Sequence, residues 1–171
     1  MLSAVWLVLA VLVAVLLTAW VTFTLTRLDR LHARVDAAQA SLDAQLVRRA
    51  AALVRVAESP QIELPALERA RYESISRRAL DASGAERAAT ENELGRAVAD
   101  LVAGDADLSP VLAAELREAA ERVLISRRFY NDAVRDTRSL RARRMPRLLR
   151  LAGHREMPQF FDIDDTVPSR T

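Results

Sequence analysis

LSAVWLVLAVLVAVLLTAWVTFTLT, residues 2–26, decides how the rest of the chain is read. From Leu2 to Thr26 run 25 consecutive residues without a formal charge, and none is Pro or Gly. A helix needs about 20 apolar residues to cross the hydrocarbon of a bilayer, and once inserted it satisfies its own backbone groups. Trp6 and Trp20 stand near the two ends, about 21 Å apart at helical rise. That spacing suits rings at or just inside the two interfaces, a reading favoured over that of large apolar filler. A cleaved signal peptide has a basic start and an apolar core of about 7–15 residues. This run is longer, begins without a basic residue and is followed by no small-x-small site. The segment therefore predicts an uncleaved single-pass transmembrane anchor over residues 1–26.

Immediately outward come Arg27, Arg30 and Arg34, offset by Asp29. Basic residues gather on the cytoplasmic flank of a membrane helix, so the rest of the chain is expected in the cytoplasm. The chain has no Cys, which excludes disulfides and thiol nucleophiles. All 25 basic residues are Arg. With abundant Ala, Val and Leu, that is the pattern of a GC-rich bacterial coding bias and implies a bacterial cell membrane.

Beyond the anchor the apolar residues recur at helical spacing. Leu28, Leu31, Val35, Ala38, Leu42, Leu46, Leu53 and Val56 form one stripe, which continues from the anchor and ends at Ser59-Pro60. A second helix is expected from about Pro65 to Ala103, with Leu67, Tyr72, Ile75, Ala79, Leu94, Val98, Leu101 and Val102 apolar. Ser83-Gly84 is its weak point, and Thr90-Glu-Asn-Glu93 resembles a capping box that would favour a split. A third helix starts with Ser109 as cap and Pro110 at the first helical position. It carries Leu112, Leu116, Ala119, Val123, Ser126, Tyr130, Ala133, Thr137 and Leu140 on one face. No alternation of strand type survives over four residues. The fold class is thus all-α: a transmembrane helix continuing into an antiparallel bundle of three long helices over residues 27–153, or four if the second breaks near Gly84. Residues 154–171 form a polar, partly disordered tail, with Phe160 and Phe161 able to dock on the bundle.

In an up-down-up bundle Asp100, Asp105 and Asp107 would face Arg27, Arg30 and Arg34. At the far end Glu58, Glu63 and Glu68 would meet Arg141, Arg143, Arg144 and Arg147. The third helix would then carry its Arg-rich end about 45 Å from the membrane by helix rise.

Two segments resemble the LemA family of bacterial membrane proteins. One is Val35-Asp36-Ala-Ala-Gln39-Ala-Ser-Leu42-Asp43-Ala-Gln45-Leu46-Val-Arg48-Arg49-Ala50, similar to the family's first soluble helix. The other is Ser126-Arg127-Arg128-Phe-Tyr130-Asn131-Asp132-Ala-Val134, similar to its Arg-x-x-Tyr-Asn-x-x-Val segment. Thr137-Arg138 stand where the family repeats Tyr-Asn, and Arg144-Met145-Pro146 where it has Phe-Pro, so the chain resembles a divergent member. The resemblance implies a membrane-anchored helical bundle and brings no biochemical activity with it.

Gln45, Arg49, Tyr130 and Asn131 read as a polar seam between helices, in which buried polar groups pair and set register. His32 and His154 lie at opposite ends of the soluble part, so no metal site is expected. The carboxylates follow no catalytic spacing, and there is no phosphate-cradling glycine loop or nucleophile elbow. Neither a cofactor nor an enzymatic activity is expected. The densest anomaly is the run from Arg135 to Arg155, within which Arg141, Arg143, Arg144 and Arg147 form a candidate partner-binding face. Internal pairing with Glu residues, or an acidic protein partner, is favoured there over lipid and over nucleic acid, which lacks aromatic interleaving. The sequence thus points to a membrane-anchored scaffold or adaptor with a protein partner or self-association. A sensor or regulatory subunit of another membrane protein is the alternative, and a membrane-tethered nucleic-acid binder the outsider. Trp6, Trp20, Arg27 and Arg30 flank the anchor in each case.

Overall fold

The apolar run leads into the soluble part without a linker. In the computed structural model, which describes residues 2–104, 108–143 and 155–164, a single helix α1 spans Leu2–Glu58. It is followed by α2 (Ala66–Asp81), α3 (Ala85–Ala103) and α4 (Pro110–Arg141), and no strand occurs among the described residues. The first part of α1 is long and apolar enough to cross a membrane, with a mean hydropathy of 2.7 in its most apolar window and none of that window buried in protein. Thr18, Thr22, Thr24 and Thr26 each turn their hydroxyl back to the carbonyl four residues earlier, at 2.8–2.9 Å. Such back-bonding satisfies these four hydroxyl donors within the helix itself, as an environment without water would require.

α1 stops at Glu58, ahead of Ser59-Pro60, as the chain chemistry predicts. Its last carbonyls lack partners inside the helix. Arg69 of α2 supplies one for Ala57, and donates also to the carbonyls of Ser59 (3.1 Å) and Ile62 (3.1 Å) in the connection that follows. A cation at a helix C-terminus also complements the negative end of the helix dipole.

The middle of the chain breaks, giving four helices. Gly84 has φ 58° and ψ −134°, a conformation that strains any residue bearing a Cβ. The sequence expectation located the weak point correctly but assigned part of it to the wrong signal. Thr90 is no cap: it lies inside α3, and its hydroxyl bonds to the Glu86 carbonyl at 3.0 Å. α2 and α3 pack on one another as a short helical pair. Leu67, expected on the apolar face of α2, is 83% exposed. Ser109 and Pro110 start α4 as expected, with the Leu112 amide donating to Ser109 Oγ at 3.3 Å.

That break reverses α4 relative to an up-down-up bundle. Three reversals between α1 and α4, rather than two, bring α4 back antiparallel to α1. Arg55, near the end of α1, pairs with Glu115, near the start of α4. Asp43, three turns earlier on α1, acts electrostatically on Tyr130, farther along α4.

The chain divides into two compact units: Met1–Ala37 with Asp132–Gln159, and Ala38–Asn131 with Phe160–Thr171. In the first, α1 buries Thr24, Leu28, His32 and Val35, and α4 buries Ala133, Val134, Thr137 and Leu140. In the second, all four helices supply one core that includes Leu53, Val56, Ile75, Leu94, Val98 and Leu116. Each fully buried Leu there contributes about 2 kcal/mol of transfer free energy.

Candidate functional site

The most organised polar feature of the second unit is an ion pair inside the helix bundle. α3 presents Glu91, Leu94, Ala97, Val98 and Leu101 as its buried positions, so Glu91 occupies a core position of that stripe. Arg49 of α1 answers it. Its Nη2 donates to Glu91 Oε2 at 2.7 Å and to the Glu91 carbonyl at 2.9 Å, with the two side chains only 6% and 2% exposed. Gly95, one turn along α3, leaves room for the guanidinium: a Cβ there would stand 3.3 Å from Arg49 Nη1. Arg49 Nε and Gln45 Oε1, one turn apart on α1, are buried without a hydrogen-bond partner among the described residues. A half-buried Arg87–Asp43 pair at 2.9 Å also links α3 to α1. Desolvation by burial, and then the Asp43 carboxylate, push the Tyr130 phenol above its ordinary value.

The expected seam of Gln45, Arg49, Tyr130 and Asn131 is therefore only partly one feature. Arg49 and Tyr130 are buried and Gln45 is half-buried, but Asn131 serves the tail instead. Its Nδ2 donates to the Phe161 carbonyl at 3.0 Å, and its Oδ1 accepts the Phe161 amide at 2.9 Å. Asn92 Oδ1 on α3 accepts the Asp164 amide at 2.8 Å, and Ile163 between them is buried. Two Asn side chains thus pair with an irregular backbone as a neighbouring strand would, and they hold the described tail segment against α3 and α4.

In the first unit, Arg34 pairs with Asp136 at 2.9 Å, rather than with Asp100, which falls in the other unit. Arg141 is half-buried and donates to the carbonyls of Arg155 and Glu156, each at 2.8 Å, instead of meeting Glu58, Glu63 or Glu68. Arg143 is exposed, while Arg144, Arg147 and His154 lie outside the described residues. Trp6 is 66% and Trp20 38% exposed, and Arg27 and Arg30 are exposed beyond them.

An open groove between α1 and α4 of the second unit has Ala51, Ala52 and Ala119 at its floor. Arg48, Arg55 and Arg122 with Glu115 and Glu118 make its rim. Its chemistry is that of a charged, close-approach surface: short side chains below, both signs of charge around. The sequence reading missed Glu91, Gly95, Asn92 and Arg69. Of these, only Glu91 left a trace, as a charge one step before Leu94 on an apolar stripe. Among the described residues no group of three His, Asp or Glu is placed to hold a metal ion. Comparison with models of protein families, with curated proteins and with solved structures finds no match.

Proposed function

We propose that this chain is a membrane-anchored, non-enzymatic scaffold or adaptor of the LemA type, with its helical bundle on the cytoplasmic side of a bacterial membrane. The observation that carries the reading is the continuity of α1. One helix of 57 residues contributes an uncovered apolar rod at its start and a core stripe of the bundle at its end. Contiguous apolar surface on that scale needs lipid to cover it, and no flexible linker separates it from the domain. The LemA-like motifs support the family assignment, and Arg27, Arg30 and Arg34 support the orientation.

The groove rimmed by Arg48, Arg55 and Arg122 is the face offered to a protein partner. A photo-crosslinking residue at Arg48 or Arg122, activated in native membranes, is expected to yield a discrete adduct with one partner protein or a second copy. Crosslinking at these positions that is indistinguishable from that at exposed Arg77 on α2 would reject the adaptor reading of this face.

A further inference from the structure

The reversal of α4 changes the environment of the Arg-rich end. Within the first unit, the Arg34–Asp136 pair sets the level of α4 against α1. Five residues further along α4, Arg141 lies about 7.5 Å closer to the start of α1 by helix rise, level with Asp29 and Arg30. Arg143 follows just beyond the end of α4, its amide bonded to the Leu140 carbonyl at 3.2 Å, and so stays at that end of the helix. The level of Asp29 and Arg30 falls within about a helical turn of Thr26, where the apolar run stops.

At this level α1 itself forms an open groove lined by Phe23, Arg27, Arg30, Leu31 and Arg34. Phe23 and Arg30 are seven residues apart on one face, about 10 Å by helix rise. Arg34 is committed to Asp136. Arg27 has no carboxylate partner among the described residues, and Arg30 bonds only to the Thr26 carbonyl, at 3.4 Å. Arg141 pins the carbonyls of Arg155 and Glu156, which fixes exposed Arg155 at the same end of the unit. Arg27, Arg30, Arg141, Arg143 and Arg155 thus gather where Asp29 and Glu156 are the opposing carboxylates.

We propose that the groove of Phe23, Arg27 and Arg30, with Arg143 and Arg155 at the same level, binds the headgroups of anionic phospholipids. Phe23 lies at acyl-chain depth, and Arg27 and Arg30 reach the phosphate from above it. Arg suits this task because its planar fork meets two phosphate oxygens at once. Arg141 is a positioning residue here, holding the tail backbone rather than a lipid. The surface works as a collar: the anchor fixes the chain in the bilayer, and the collar selects which lipids surround it.

The proposal rests on the membrane-anchored reading, and the test separates the two. The full chain with Trp6→Phe keeps Trp20 as its single Trp, one helical stretch from Arg27. It is reconstituted in phosphatidylcholine vesicles containing a small fraction of either phosphatidylglycerol or phosphatidylcholine with pyrene on an acyl chain. Energy transfer from Trp20 reports which lipid is adjacent. One Arg at an anionic surface corresponds to about a fivefold preference, so transfer to phosphatidylglycerol is expected to exceed that to phosphatidylcholine by at least about fivefold and to fall as salt rises. Changing Arg27, Arg30, Arg143 and Arg155 to Gln is expected to bring the two lipids to near parity, while changing exposed Arg71 and Arg77 of α2 to Gln leaves the preference intact. Equal transfer to both lipids in the Trp20-only chain, or a preference that survives the four substitutions, overturns the collar and leaves the anchor standing. Release of the chain from the vesicles by alkaline carbonate overturns the anchor, and the collar with it.

Discussion

Two Arg residues of α1, fifteen positions apart, meet carboxylates of other helices at nearly the same distance: Arg49 with Glu91 at 2.7 Å and Arg34 with Asp136 at 2.9 Å. Their surroundings differ. The first pair is 6% and 2% exposed, the second 55% and 53%. In the interior each partner has been stripped of water, so neither tolerates loss of the other, and the pair specifies which face of α3 meets α1. At the surface, water competes with the carboxylate and the pair adds little to stability. The same residue type thus sets helix register in one unit and makes a water-screened surface pair in the other.

The strongest way to break that contrast is to remove Glu91. Glu91→Leu leaves Arg49 charged and buried among apolar residues, and the full chain in detergent micelles is expected to lose about 3–5 kcal/mol of stability. Adding Arg49→Met should recover most of it, because an apolar pair of similar volume avoids the desolvation cost. Unfolding followed by helical circular dichroism checks both variants. A Glu91→Leu protein as stable as the parent would remove the distinction between the two pairs.

Asn131→Ala comes next. It deletes two hydrogen bonds to the Phe161 backbone, each worth about 1 kcal/mol net. The loss is expected locally, as faster proteolysis near residues 156–164, with the helices intact. An unchanged cleavage rate would mean that Ile163 and the Asn92 bond hold the segment without the Asn131 clamp. Smaller still is Arg34→Ala, where the exposed pair predicts a change of about 0–1 kcal/mol. A loss comparable to that of Glu91→Leu would show that exposure is the wrong discriminator.

The last effect is silent at neutral pH. Burial raises the phenols of Tyr72 and Tyr130 above their ordinary value of 10.0, Glu68 adding to the shift at Tyr72 and Asp43 at Tyr130. A raised folded value means that the neutral form is favoured in the fold. That contribution is fully present below pH 10 and is lost as the pH rises through the raised values. Tyr72→Phe with Tyr130→Phe should flatten this alkaline decline, measured as unfolding midpoints between pH 9 and 12. A decline of the same steepness without the two phenols would assign it elsewhere.

The helices were legible because their signals are local. Ser59-Pro60 and Ser109-Pro110 act through steric and capping chemistry within a few residues, and the apolar run of residues 2–26 is continuous. Gly84 was legible as a weak point for the same reason. Its consequence was not, because the direction of α4 depends on whether the chain reverses twice or three times after α1, and opposite charges can be matched at either end of either arrangement. Glu91 was missed because Thr90 and Glu93 on either side of it have the spacing of a capping signal; the break had already occurred at Gly84, so the segment was helix interior. Asn131 was read toward the bundle because it adjoins Tyr130 on a core stripe. Its actual partner lies thirty residues away in a segment with no periodicity to announce it.

The direction of α4 is the claim on which the account turns, and the absence of native Cys makes it directly measurable. Spin labels at Arg30→Cys and Ser139→Cys, both exposed and both in the first unit, report the distance between the start of α1's soluble stripe and the end of α4. With neighbouring antiparallel helices about 8–10 Å apart between axes, a pulsed dipolar measurement on the full chain in micelles should give a label separation below about 25 Å. A three-helix arrangement with α4 running away from residues 2–26 would place the same labels about 45 Å apart by helix rise, and that result would contradict the account.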